Sequence, residues 1–158
     1  MRWGNPNMRN GHRRSIYMAF VLSCAFASLI PVRSLQTPNW DVQVFDKAGN
    51  PVSGISVRES YQNYSAELTG HEDTEVTDVN GQVHFDAKIL RASLLKRFGA
   101  VIHSAMAGAH ASFGPHAFLF AFGRGMEGEW VDTHGYVGDW TGLPSSMNTR
   151  IMVHPATN

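Results

Sequence analysis

Eight histidines are the first residues in this chain that could carry chemistry. His12 falls in the basic N-terminal stretch. His103, His110 and His116 are spaced by seven and six residues, and His134 follows. Zinc ligands come at tighter spacing, often as a pair one helical turn apart or beside cysteines. Here no pair sits four residues apart on an expected helix, and the single cysteine, Cys24, lies far upstream. The spacing predicts hydrogen-bonded or surface histidines and no metal centre. For a harder cation, His71-Glu72-Asp73 and Asp78-x-Asn80-Gly81 offer oxygens. Calcium needs six to eight of them, with a bidentate Glu at the end of its loop, and that Glu is missing here. Asp, Asn and Gly in the second piece read as a turn. No serine sits in a glycine-flanked elbow. Glu127 and Glu129 are paired carboxylates that share one strand face and are solvated. Gly123, Gly125 and Gly128 mimic a dinucleotide fingerprint without the helix that must follow it. The reading is of no catalytic residue, no cofactor site and no metal, and hence of a chain that is not an enzyme.

Binding is the remaining chemistry. Trp40, Trp130 and Trp140 with Tyr61, Tyr64 and Tyr136 are either core packing, which aromatics dominate, or a platform on which sugars stack. Two segments stand out as longer polar or aromatic stretches outside the expected strands, residues 62–73 and 136–143. Tyr and Trp beside Ser, Asn and Gly supply rigid contact area with adaptable hydrogen bonds. Tyr64, His71, Tyr136 and Trp140 are therefore the expected contact surface.

The elements that must position these residues are short strands. Trp40, Val42 and Val44 alternate with Asp41 and Gln43, which is the period of a half-buried strand. Ile55 and Val57, then Val83 and Phe85, and finally Thr149, Ile151 and Val153 repeat the pattern. Residues 47–51 and 78–81 are turns, the second through Asn80-Gly81. Residues 115–122 are apolar on both faces and read as a buried strand, and residues 123–128 as a turn before a short strand at Trp130-Val131. Residues 88–98 break the period: Leu90, Leu94 and Phe98 make one helical stripe. Residues 99–114 are rich in Ala and Gly without a clear period.

The N-terminus reads separately. Arg2, Arg9, Arg13 and Arg14 precede an uncharged run over residues 16–30, which Pro31 ends. A basic segment before a short apolar one is the pattern of a secretory signal. Ala25-Phe26-Ala27 is a fitting cleavage site, which gives a signal peptide over 1–27, a linker over 28–39 and one domain over 40–155. An uncleaved anchor, and lipidation at Cys24, are the alternatives. All 13 acidic residues lie downstream of this leader, so a chain cut after Ala27 is mildly acidic. Such a charge has no footprint for nucleic acid. The expected location is periplasmic or extracellular, with membrane contact only if the leader stays.

Residues 42–85 resemble the carboxypeptidase regulatory-like family of transthyretin-like and Cna B-type modules. The carrying residues are Val42-x-Val44-x-Asp46, then Gly49-Asn50-Pro51-Val52-x-Gly54-Ile55-x-Val57, then Thr77-Asp78-Val79-Asn80-Gly81-Gln82-Val83-His84-Phe85. More loosely, residues 90–95 and 110–115 are similar to a bacterial exported subgroup. The resemblance implies an all-β fold, a small immunoglobulin/transthyretin-like β-sandwich, here with one short helical insert. It also implies a non-catalytic module with a protein or glycan of the cell envelope as partner. The runner-up readings are a carbohydrate-binding domain and, behind it, a metal-assisted enzyme using the scattered histidines.

Overall fold

The computed structural model describes residues 6–131 and 139–156. The chain is mostly β, with two helices, and its main sheet is nearly closed into a barrel-like form. The alternating runs form the strands they predict. Strand β2 (Asn39–Phe45) buries Trp40, Val42 and Val44 and turns Asp41 outward. The last strand, β10 (Ser146–Pro155), buries Met147, Thr149, Ile151 and Val153. These two pair in parallel, Asn39 beside Ser146 and Phe45 beside Met152. Across that pair Trp40 Nε1 donates to Thr149 Oγ1 at 2.7 Å.

On its other side β2 pairs antiparallel with β5 (Gln82–Phe85). The turn before β5 is the expected one. Asp78 Oδ1 accepts from the backbone N–H of Asn80 and of Gln82, both at 2.8 Å, and Gly81 takes a φ of +70°. A Cβ at Gly81 would lie 2.5 Å from the Val44 carbonyl oxygen, so this turn can press on β2 only as glycine.

Strand β3 (Ser56–Asn63) runs between β4 (His71–Val76) and β7 (Pro115–Gly123), antiparallel to both. Strand β8 (Met126–Val131) returns from β7 through Arg124-Gly125 and pairs with β10. The short β9 (Asp139–Trp140) pairs with β7. The sheet order is thus β4-β3-β7-β8-β10-β2-β5, with β9 off that path. Val42, Val44, Ile55, Val57, Leu119, Ile151 and both Trp40 and Trp140 fill the core. Burial of each such side chain is worth roughly 1.5–3 kcal/mol. Gly128 lets β8 close on that core, since a Cβ there would meet Ile151 Cγ2 at 2.6 Å.

Four expectations are corrected. Residues 28–39 are not a linker throughout. Strand β1 (Pro31–Thr37) pairs with β6 (Lys88–Ser93) as a separate two-stranded ribbon, and Gln36 and Thr37 are buried. Residues 88–98 are not one helix, because their first six residues are β6. The helix proper, α2 (Leu94–Ala105), starts where Ser93 Oγ accepts from Lys96 N, and it runs on through Gly99. The insert is also not the single helix. A 24-residue α1 (Pro6–Leu29) precedes β1, and a 3-10 turn spans Gly108–His110. Finally, β7 is buried on one face only. Ala117, Leu119 and Ala121 point inward, while Phe118 on the other face is 41% exposed. Small residues fit against β3 and β8, and the bulky ones face out.

Candidate binding groove and its ionic neighbour

The outer face of β3 and β7 builds a groove. In a strand, alternate residues share a face. Ser60 stands opposite Phe118 and Gln62 opposite His116, and Asp139 of β9 flanks Phe118. Tyr64, just past the end of β3, packs edge-on against His116 with ring centroids 5.3 Å apart. Its backbone N–H donates to the Gly114 carbonyl at 2.9 Å, and its carbonyl accepts from Ser104 Oγ at 3.0 Å. Tyr64 is therefore held by β7's leading turn and by α2 together. The resulting cavity is about 360 Å³, with Tyr61 and Thr141 also at its wall. It offers aromatic faces, an amide, a hydroxyl, an imidazole and a carboxylate. Such a set can bind and orient a polar ligand.

The aromatic surface continues along β7. Phe118, Phe120 and Phe122 stack in a row, with centroids 6.2 and 5.6 Å apart. Arg58 from β3 lies over Phe120 and Phe122, at 5.6 and 5.0 Å, and is itself held by Glu72 at 3.0 Å. A guanidinium over an aromatic face is a favourable contact, and it covers the far end of the row.

The opposite face of β3 carries a buried ionic cluster. The Glu59 side chain has no solvent exposure, and its Oε2 accepts from Lys88 Nζ. Lys88 Nζ also lies 3.0 Å from Asp73 Oδ2 and 4.8 Å from the Tyr61 ring centre. Glu59 Oε1 has no hydrogen-bond partner among the described residues. Burial pushes the Glu59 carboxyl above its ordinary pKa, and the Lys88 charge only partly opposes this. For Lys88, burial works to lower the pKa, but its bonds to Glu59 and Asp73 win and hold it above the usual lysine value. Burial and the nearby Asp73 raise the Tyr61 phenol. Next to this cluster Glu67 accepts from Gln36 Nε2 at one oxygen and meets His71 Nε2 at the other. Both Glu67 oxygens are thus engaged, and the group ties β1, the 64–70 loop and β4 together.

The expected contact residues are split by the fold. Tyr64 lines the groove. His71 does not; it stacks on Tyr61 with centroids 5.3 Å apart and pairs with Glu67. Its segment is also not all loop, since residues 62–63 belong to β3 and residues 71–73 to β4. Trp140 is part of the groove's wall, but it is 1% exposed and belongs to the core, and its Nε1 donates to the Pro144 carbonyl at 2.6 Å. Its pairing with Ala117 turns the ring to the core. Tyr136 and His134 lie outside the described residues. Sequence reasoning missed His116 and Phe118 as groove residues. The signal was the alternation of Phe with Ala and Leu in β7, which marks one large face and one small one. Two charged residues near the sheet are tied inward: Lys88 joins Asp73, and Arg97 donates to Val32 O and Ser34 Oγ. Among the described residues no group of three or more His, Cys, Asp or Glu is placed to hold a metal ion.

No protein-family model and no curated protein matches the sequence. Among solved structures the chain is similar to the 3-chlorocatechol 1,2-dioxygenase of Rhodococcus opacus 1CP, at 14% identity and a TM-score of 0.44. That match covers 80% of this chain and 64% of the other, so the chain spans under two thirds of that protein's length.

Proposed function

We propose that this chain is an exported, non-catalytic binding or structural module of the bacterial cell envelope. Its sandwich would be of the immunoglobulin/transthyretin-like kind that carboxypeptidase regulatory-like domains use, and it would meet a protein partner at one end. The observation that carries this reading is the groove in which Tyr64, His116, Phe118, Gln62 and Asp139 converge. A rigid aromatic anchor with hydrogen-bonding neighbours is the composition of a contact hot spot. The resemblance over residues 42–85 supports the family side of the proposal, for those residues form β2 to β5 and the turns between them.

A second reading is a glycan partner. The exposed Phe118 ring beside the groove favours it, because an aromatic face next to hydrogen-bonding groups suits the apolar face of a sugar ring, while Arg58 already lies over Phe120 and Phe122. The deciding experiment compares the native protein with Tyr64→Ala and Phe118→Ser on envelope proteins cross-linked in the cell and on an array of envelope glycans. Loss of one specific cross-linked protein, with melting unchanged, supports the first reading. Loss of one glycan class supports the second. If neither variant changes any interaction, the groove is not the contact surface.

A further inference from the structure

The charge of this chain is segregated by the fold. Residues 1–40 contain no acid, and neither do residues 87–126. The structure brings these two stretches together. Strand β1 pairs with β6, α1 leads into β1, and α2 follows β6 directly. Arg33 and Arg91 stand directly opposite on the ribbon, both exposed, with no acid of the described residues pairing either. Like charges in that position repel, and no acid among the described residues offsets them.

Helix α2 adds an apolar face. Leu94, Leu95, Phe98, Ile102 and, at its C-cap, Met106 are each between 47% and 81% exposed. At about 100° per residue they fall within one arc of roughly 120°. The helix packs by its other side, where Ala100 is buried and Arg97 bonds to the ribbon, and it also touches α1, with the arc residues left exposed. Lys96 is exposed beside the apolar arc. Soluble surfaces rarely leave such an arc open. A second copy meeting this face with the same face would bring Arg33, Arg91 and Lys96 up to their own like charges, whereas an anionic occupant would relieve them. No helix among the described residues is long and apolar enough to cross a membrane. An apolar arc beside basic residues is the pattern of a helix that lies in a lipid interface.

We propose that α2 seats its Leu94, Leu95, Phe98, Ile102 and Met106 face on an anionic lipid bilayer, drawn there by the basic charge of the β1–β6 ribbon and of Lys96. This surface is separate from the groove of Tyr64, and its test is separate too. The full chain is floated with vesicles of phosphatidylglycerol and phosphatidylethanolamine, and with vesicles of phosphatidylcholine alone. The native chain should bind the anionic vesicles, and salt should weaken that binding. Phe98→Ser with Ile102→Ser should weaken it by roughly tenfold or more, with the circular dichroism spectrum unchanged because both side chains are exposed. Arg91→Glu with Lys96→Glu should reduce binding to the anionic vesicles and leave the neutral ones unaffected. Every variant keeps α1, so equal binding by the native chain and the Phe98→Ser/Ile102→Ser variant overturns the proposal. Lipid-free self-association that the same variant abolishes would also overturn it, by assigning the face to a second copy. An environment-sensitive dye on Phe98→Cys, in a Cys24→Ser background, gives an independent readout. Its emission should shift to the blue on anionic vesicles, and an unshifted spectrum with bound protein counts against the proposal.

Discussion

Lys88 places its ammonium 3.0 Å from the Asp73 carboxylate while also binding the buried Glu59. One cation from the ribbon thus holds two carboxylates of the main sheet, one on β3 and one on β4. That junction explains why the ribbon stays in place, and it makes stability depend on pH in a definite direction.

Replacing Lys88 with Met should destabilise the fold by about 3 kcal/mol at neutral pH. Breaking a buried pair from one side leaves an uncompensated charge, and the low end of the usual range applies because Lys88 keeps 26% side-chain exposure. Glu59 already has a raised pKa, so between its ordinary value of 4.5 and its folded value the folded chain binds the extra proton. Stability therefore falls as pH rises through that window. In Lys88→Met the loss should shrink as pH drops toward 4.5 and Glu59 becomes neutral. Denaturant unfolding across that range measures it, and a loss independent of pH would show that Glu59 is not the group left behind.

His84 provides a second titration. Its Nδ1 lies 2.7 Å from Asp41 Oδ1 and its Nε2 lies 3.4 Å from Asp86 Oδ1. The bond to Asp41, with a smaller part from Asp86, raises the imidazole pKa above 6.5. The stabilising charge is present below 6.5 and is lost as pH rises through the folded value. A proton NMR titration should find His84 above 6.5, and Asp41→Asn should bring it down.

Trp140→Ala should cost roughly 3–5 kcal/mol, since it empties a large buried site and removes the bond to Pro144. Tyr64→Ala, at a half-buried position on the groove wall, should cost much less. Thermal melts of the two proteins test the contrast. Comparable losses would place the Tyr64 ring in the core.

Gly128→Ala should destabilise by about 1–3 kcal/mol, the range for forcing extra volume into a packed core. The new methyl would sit 2.6 Å from Ile151 Cγ2 and 2.8 Å from the Ala121 methyl. Ile151→Ala removes that Cγ2, so the double variant should lose less than the sum of the two single losses. A double-mutant cycle reads the coupling, and strict additivity would mean that Ile151 is not what the methyl strikes.

What the sequence determined by itself was whatever local pattern dictates. The alternation of Trp40, Val42 and Val44, or of Thr149, Ile151 and Val153, forces one face inward wherever the strand is placed. Asp78 with Asn80-Gly81 closes its turn through its own backbone bonds. Distant partners decided the rest. Residues 31–37 lack a strong period of their own and become a strand because β6, whose Ser93 pairs with Pro31, lies beside them. Pairing with β1 likewise takes residues 88–93 out of the helix that Leu90, Leu94 and Phe98 predict. Trp140 reads as exposed because Gly and Asp surround it, yet its register with Ala117 turns it into the core. Phe118 reads as buried, yet the small residues of β7 claim the interior face. The groove residues come from β3, β7 and β9 and the turn after β3, segments whose separation in the chain hides their approach. Period and turn chemistry are short-range properties, while burial and charge pairing depend on which strands meet, and only the folded chain fixes that.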